Sequence, residues 1–111
     1  MTSIHDMYNQ AEKLKDEGQY EEAITKLHEV LQEDETHVLS HLALAVLYGK
    51  VGDHEQAVQH GQRACEIDPN DVFNYTALSV TYQRAYVGTQ NPQFIQLAED
   101  AKARAHMMGG M

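Results

Sequence analysis

Apolar and small residues recur along this chain with a helical period, and the pattern predicts helices that come in pairs. From Glu21 to about Gln32, Ala23, Leu27 and Val30 fall at i, i+4 and i+7, one apolar stripe on an otherwise polar helix. Gly18 precedes this helix and ends a first one that runs to about Glu17, with Thr2 or Ser3 placed to cap its start. The polar junction Glu33-Asp34-Glu35-Thr36, where Asp34 or Thr36 is the expected cap, leads into a second pair. That pair runs from about His37 to Lys50 and from Asp53 to Ile67, with Gly52 breaking the chain between them and Pro69 closing the unit. Leu44, Ala45 and Tyr48 share a face of its first helix, and Ala57, Gly61 and Ala64 share a face of its second. A third pair begins at Asn70 or Asp71, with one helix from Val72 to Ala85 and another from Pro92 to Met107. Between them Tyr86 to Pro92 reads as a long turn, with Asn91 as N-cap and proline at the first helical position.

The units are related by an offset of 34 residues, the period of one class of helical repeat. Tyr75-x2-Leu78-Ser79-x2-Tyr82 and His41-x2-Leu44-Ala45-x2-Tyr48 stand in register, and the same step backward meets Met7, Gln10, Ala11 and Leu14. With Gly18-Gln19-Tyr20-Glu21-Glu22-Ala23 and Asp68-Pro69-Asn70-Asp71 as turns, the chain resembles the tetratricopeptide repeat. The resemblance implies an all-α fold, a solenoid of three antiparallel helix pairs in a single domain over residues 1–111, with repeats at approximately 4–37, 38–71 and 72–107. It also implies a protein-binding scaffold rather than an enzyme. The last repeat departs from the pattern. Phe94, Ala98 and Ala101 as inward positions require an insertion of about three residues, and Ala98 with Ala105 one of about seven; three places Pro92 where a second helix should start. No separate polar capping helix follows Met107, and the polar residues of the last helix, Gln93, Gln96, Glu99, Asp100, Lys102 and Arg104, are expected to protect that end.

With 111 residues the chain is the size of one domain. Its longest apolar run, Leu42 to Tyr48, is far too short to span a membrane, and the first residues, MTSIHDMYNQ, do not resemble a signal peptide, so a cytoplasmic location is expected. Cys65 is the single cysteine, which leaves neither a disulfide framework nor a cysteine-based zinc site. A formal net charge of -9 argues against nucleic acid, because phosphate binding needs clustered Lys and Arg.

Candidate chemistry is sparse. His37 and His41 lie one helical turn apart, as ligand pairs often do, but no third ligand follows from the sequence, and H-E-x-x-H is absent; exposed or helix-end histidines are the expectation. Cys65 is expected to be a partly buried thiol, and Gly18, Gly52 and Gly88 to be isolated turn glycines. No catalytic residue, metal site or cofactor is expected.

The informative feature is an excess of apolar residues from His37 to Lys50. Leu44, Ala45 and Tyr48 suffice to pack this helix on its partner, yet Val38, Leu39, Leu42, Ala43, Val46 and Leu47 are apolar too. Such a helix is buried on several sides or binds something. In the family it resembles, the first helix of each pair lines a concave groove. The groove positions correspond here to His5, Tyr8, Asn9 and Glu12, then Leu39, Leu42, Ala43 and Val46, then Phe73, Thr76, Ala77 and Val80. An apolar groove taking a partner's helix or extended segment is the leading expectation; self-association through the groove or the third repeat, giving a homo-oligomer, is the alternative. Some three-repeat members of the family hold the acidic C-terminus of heat-shock chaperones with a clamp of Lys, Asn and Arg. At those positions this chain has Tyr8, Glu12, Ala43, Phe73 and Ala77, none of which can hold a carboxylate.

Overall fold

The structure, a computed structural model, describes residues 3–109. Over them the chain forms α1 (Ile4–Asp16), α2 (Tyr20–Glu33), α3 (Val38–Lys50), α4 (His54–Ile67), α5 (Val72–Thr89) and α6 (Gln93–Gly109). Helices α1, α3 and α5 start at the constant period expected, at Ile4, Val38 and Val72. Each helix packs on the next along the chain, and α3 also meets α5.

Side chains at the turns explain most of the boundaries. Ser3 Oγ accepts from Asp6 N at 3.0 Å and caps α1; Thr2, the other candidate, lies outside the described residues. Asp53 and Asp71 cap α4 and α5 by accepting from Gln56 N at 3.2 Å and Phe73 N at 2.9 Å. Asn91 Oδ1 accepts from Gln93 N at 3.0 Å ahead of α6. Gly18 and Gly52 adopt φ of +80° and +87°, a region costly for residues with a Cβ.

Two boundaries differ from expectation. Neither Asp34 nor Thr36 caps α3. Asp34 Oδ1 instead takes both the N–H and the hydroxyl of Thr36, at 3.0 and 2.6 Å, and closes a local turn. His37 caps the helix, its Nδ1 accepting from Ser40 N at 3.3 Å. Helix α5 continues through Tyr86, Val87, Gly88 and Thr89, where the sequence reads as a turn. A single glycine costs only about 1 kcal/mol in a helix, and Thr89 Oγ1 donates back to Ala85 O at 2.7 Å. Gln90, at φ 60°, ends the helix. Gly88 is therefore helical, and its role is close approach: a Cβ there would press into the His54 ring at the start of α4.

The core has two apolar clusters. Leu27, Leu44 and Leu47, all fully buried, meet Ala11, Ala23 and Ala43 where the first three helices join. Leu78, Tyr82 and Ala85 meet Val58, Cys65, Ala98 and Ala101 across α4, α5 and α6, with Phe94 stacked on Tyr82 at 6.1 Å. The packing of Phe94, Ala98 and Ala101 favours the three-residue insertion, since the seven-residue register would turn exposed Lys102 toward the core.

Proline at Ala57, mid-helix and 1% exposed, should cost about 3 kcal/mol or more because it removes a backbone hydrogen bond and clashes with the preceding turn. Gly52→Ala should cost about 1–2 kcal/mol through its positive φ alone. Urea denaturation of the two variants checks the order; equal losses would contradict the assigned turn.

Candidate functional site

Spacing along α3 and α5 builds a cleft. Leu42 and Val46 lie one turn apart on α3; Phe73, Ala77 and Val80 lie at i, i+4 and i+7 on α5. With Thr76, and with Ala45, Gly61 and Thr81 beneath, they enclose a cleft of about 230 Å³. Gly61 matters to its depth: a Cβ there would stand 3.0 Å from Leu78 Cδ1, so glycine lets α4 and α5 close under the cleft. Past Val46 and Val80 the cleft opens into a recess of about 550 Å³ bordered by Lys50, His54, Gln83, Arg84 and Val87. Phe73 is 62% exposed and Val80 36%.

The expected groove residues separate into three groups. Leu42, Val46, Phe73, Thr76, Ala77 and Val80 share the cleft. Leu39 is 53% exposed but does not line it. Tyr8 and Glu12 lie apart on α1. Tyr8 packs at the edge of the first core cluster with its ring 5.5 Å from that of His37, and Glu12 pairs with Lys15 at 3.1 Å. Burial and the Glu12 carboxylate push the Tyr8 hydroxyl up to about 12. Ala43, expected on the groove face, is 7% exposed and packs into the first cluster instead. Of the excess apolar residues on α3, Ala43 and Leu47 are thus core, while Leu42 and Val46 face the cleft.

Charge distinguishes one end of this cleft. In a chain of net charge -9, the recess carries Lys50 and Arg84, and neither takes part in an ion pair among the described residues. Lys50 Nζ instead sits 5.6 Å over the Tyr20 ring.

A second constellation was not legible in the sequence. His41 is 3% exposed, neither a surface nor a helix-end histidine. Its Nδ1 lies 2.9 Å from His60 Nδ1 on α4, and its Nε2 lies 2.8 Å from the Glu35 carbonyl oxygen. His28 of α2 shares a 2.7 Å hydrogen bond with the Tyr48 hydroxyl, and its ring stands 5.6 Å from that of His60. Burial, then charge on His41 and His28, pushes His60 down to about 4; burial also lowers His28. Arg63 grips Glu35 through two hydrogen bonds of 2.7 and 2.8 Å and holds its carboxyl down to about 2. Among the described residues no group of three or more His, Cys, Asp or Glu is arranged to hold a metal ion.

The family model described as Tetratricopeptide repeat matches residues 14–79, more than half of the chain. The chain belongs to the tetratricopeptide repeat family. Anaphase-promoting complex subunit 3 of Schizosaccharomyces pombe is 32% identical over 66 residues, which is 60% of this chain and 10% of that protein. The chain thus spans about a tenth of the length of this curated relative. Among solved structures, the second tetratricopeptide repeat domain of Spaghetti (RPAP3), bound to the HSP90 peptide SRMEEVD, matches with a TM-score of 0.77. That match covers 95% of this chain and 91% of the other at 17% identity, a likeness of fold. As a tetratricopeptide repeat protein, the chain is a protein-interaction module of a generally non-catalytic kind.

Its thiol fits that class. Cys65 is 6% exposed, and burial pushes it up to about 11, far from a thiolate at neutral pH. A disulfide reagent such as DTNB should leave Cys65 unmodified in the native protein and modify it fully in denaturant; rapid native reaction would contradict its burial.

Proposed function

We propose that this tetratricopeptide repeat module acts as a scaffold or adaptor by holding an amphipathic helix or extended segment of a partner protein in the cleft between α3 and α5. The observation that carries this is Phe73, a large aromatic side chain 62% exposed beside a cleft lined by Leu42, Val46, Ala77 and Val80. An exposed aromatic beside an apolar depression is costly to leave in water and is the usual anchor of a docked segment. Burying a side chain of this size is worth about 1.5 to 3 kcal/mol. Three or four such anchors support roughly micromolar binding once association costs are met. Lys50 and Arg84 at the open end favour a segment whose polar edge is acidic. The proposed setting is cytoplasmic, where a lone buried thiol such as Cys65 stays reduced.

Peptides that end in the paired carboxylates of heat-shock chaperones are not the proposed ligand, although the RPAP3 domain is bound to one. At the clamp positions Ala43 is buried, Glu12 is an acid already paired with Lys15, and Tyr8, Phe73 and Ala77 carry no positive charge. Titration with SRMEEVD at physiological salt should show no binding; micromolar affinity would refute this.

Phe73→Glu should abolish partner binding and leave helicity intact, because the side chain is mostly outside the core. Leu42→Glu tests the floor of the cleft. If Leu42→Glu unfolds the chain by circular dichroism, that side chain is structural packing; if both variants fold and still bind, the contact lies elsewhere. Binding should show a negative heat-capacity change in calorimetry and weaken modestly as salt screens Lys50 and Arg84. Self-association through the same cleft is the rival reading, and a light-scattering mass that rises with concentration and falls back with Phe73→Glu would establish it instead.

A further inference from the structure

The histidines between the first two helix pairs serve neither the cleft nor the apolar core. They come from three helices, His28 from α2, His41 from α3 and His60 from α4, with Tyr48 of α3 among them. The rings stand close: His41 to His60 at 5.2 Å, Tyr48 to His60 at 5.6 Å with planes 10° apart, and His28 to His60 at 5.6 Å. Helix α2 therefore meets the second pair through imidazoles as well as through leucine and alanine.

We propose that this cluster makes the joint between the first and second helix pairs acid-sensitive, so that protonating it loosens α2 from α3 and α4. The geometry between His41 and His60 sets the limit. Their two Nδ1 atoms are 2.9 Å apart, a distance that accommodates one proton shared as a hydrogen bond. One further proton is taken at the free Nε2 of His60 with that bond intact; once both rings are cations two N–H groups point at each other, and the rings must then separate. His28, across the same cluster, adds a third positive charge when protonated.

The surroundings offer little to neutralise that charge. From the α2–α3 turn, Glu35 reaches His41 Nε2 with its carboxylate at 3.3 Å, but both of its oxygens are already engaged by Arg63 of α4. Arg63, which also holds Glu66 at 3.1 Å, is itself a cation. Tyr48 is neutral, its hydroxyl pushed up by burial and by Asp53, and it already shares its hydrogen bond with His28. Two carboxylates, Glu35 and Glu66, thus share one guanidinium, and of the two Glu35 alone reaches an imidazole.

The direction follows from linkage. His60 takes a proton near 6.5 in the unfolded chain and near 4 in the folded one. Between those values the unfolded chain binds more protons, so His60 lowers stability as pH falls through 6.5, and its own effect levels off below about 4. His28, also lowered, acts in the same sense. Glu35, held down to about 2 from 4.5, contributes stability that is lost only as pH falls below 4.5, a separate and more acid window.

The test uses the full chain. Imidazole resonances of the wild type followed by NMR from neutral to acid pH should show His60 titrating near 4. Per proton, the unfolding constant should rise by up to about tenfold per pH unit through the window above. Amide protection at Leu27 and Leu44 should fall before that at Leu78 and Tyr82. His60→Asn, whose amide lies where Nδ1 does and cannot be protonated, should flatten the dependence of the urea midpoint on pH. A His60 titration at its ordinary value, protection lost equally across all six helices, or a His60→Asn profile as steep as the wild type would each overturn the proposal. Should His60→Asn fail to fold, the wild-type titration and the order of protection loss decide alone.

Discussion

Everything in this molecule depends on close contact between helices at small residues. Ala11, Ala23, Ala57, Ala64, Ala98 and Ala101 are nearly or fully buried, and each lets a neighbouring helix approach until a leucine or tyrosine fills the remaining space. Burial of a methyl group contributes little by itself; the gain is that Leu27, Leu44, Leu47 and Tyr82 lose nearly all contact with water. Gly61 carries the same device to its limit, with the Leu78 side chain occupying the place where a Cβ would press. Replace the small residues with larger ones and the helices move apart, and with them the cleft that α3 and α5 enclose.

The cleft is a by-product of that stacking. Once α4 and α5 close over Gly61, the faces of α3 and α5 turned away from the second helices meet across a gap rather than in contact, and Leu42, Val46, Ala77 and Val80 are left lining it. A neighbouring first helix covers part of each apolar surface and none of Phe73's outer face. The same stacking explains why α3 has no clean polar side: one face packs on α2 and α1, another on α4, a third looks into the cleft. Its sequence is apolar nearly all round because each of these faces requires it.

The joint between the first two pairs follows a different rule. There the contact is made by imidazole, phenol and a backbone carbonyl, groups that hold together through hydrogen bonds sensitive to how many protons are present. Leu27 and Leu44 alongside bind without regard to pH. Stability along the array is therefore not uniform in kind: α5 meets its neighbours through apolar side chains and through amide hydrogen bonds, Asn74 to Ala64 O at 3.3 Å and Gln62 to Tyr82 at 2.8 Å, whereas the contacts of α2 with α3 and α4 are partly titratable.

Local pattern was enough to place six helices, to start three of them in register, and to give Gly18, Gly52, Ser3 and Asn91 their roles, because caps, positive φ and helical period are properties of short segments. The same reasoning stopped α5 early at Ala85, since nothing local reveals that Gly88 lies against His54 rather than in a turn. It put Asp34 or Thr36 at the start of α3, where His37 does the capping, because a histidine at that place carries no strong cap signal. For the cleft, period alone aligned Leu42 with Val46 and Phe73 with Ala77 and Val80, but only packing decided that Ala43 turns inward and that Tyr8 and Glu12 stand apart. The histidine cluster was wholly beyond the sequence. His28, His41 and His60 are separated by 13 and 19 residues and sit on three helices, so their meeting depends on how one pair is seated on the next, a fact of tertiary structure that no helical period encodes.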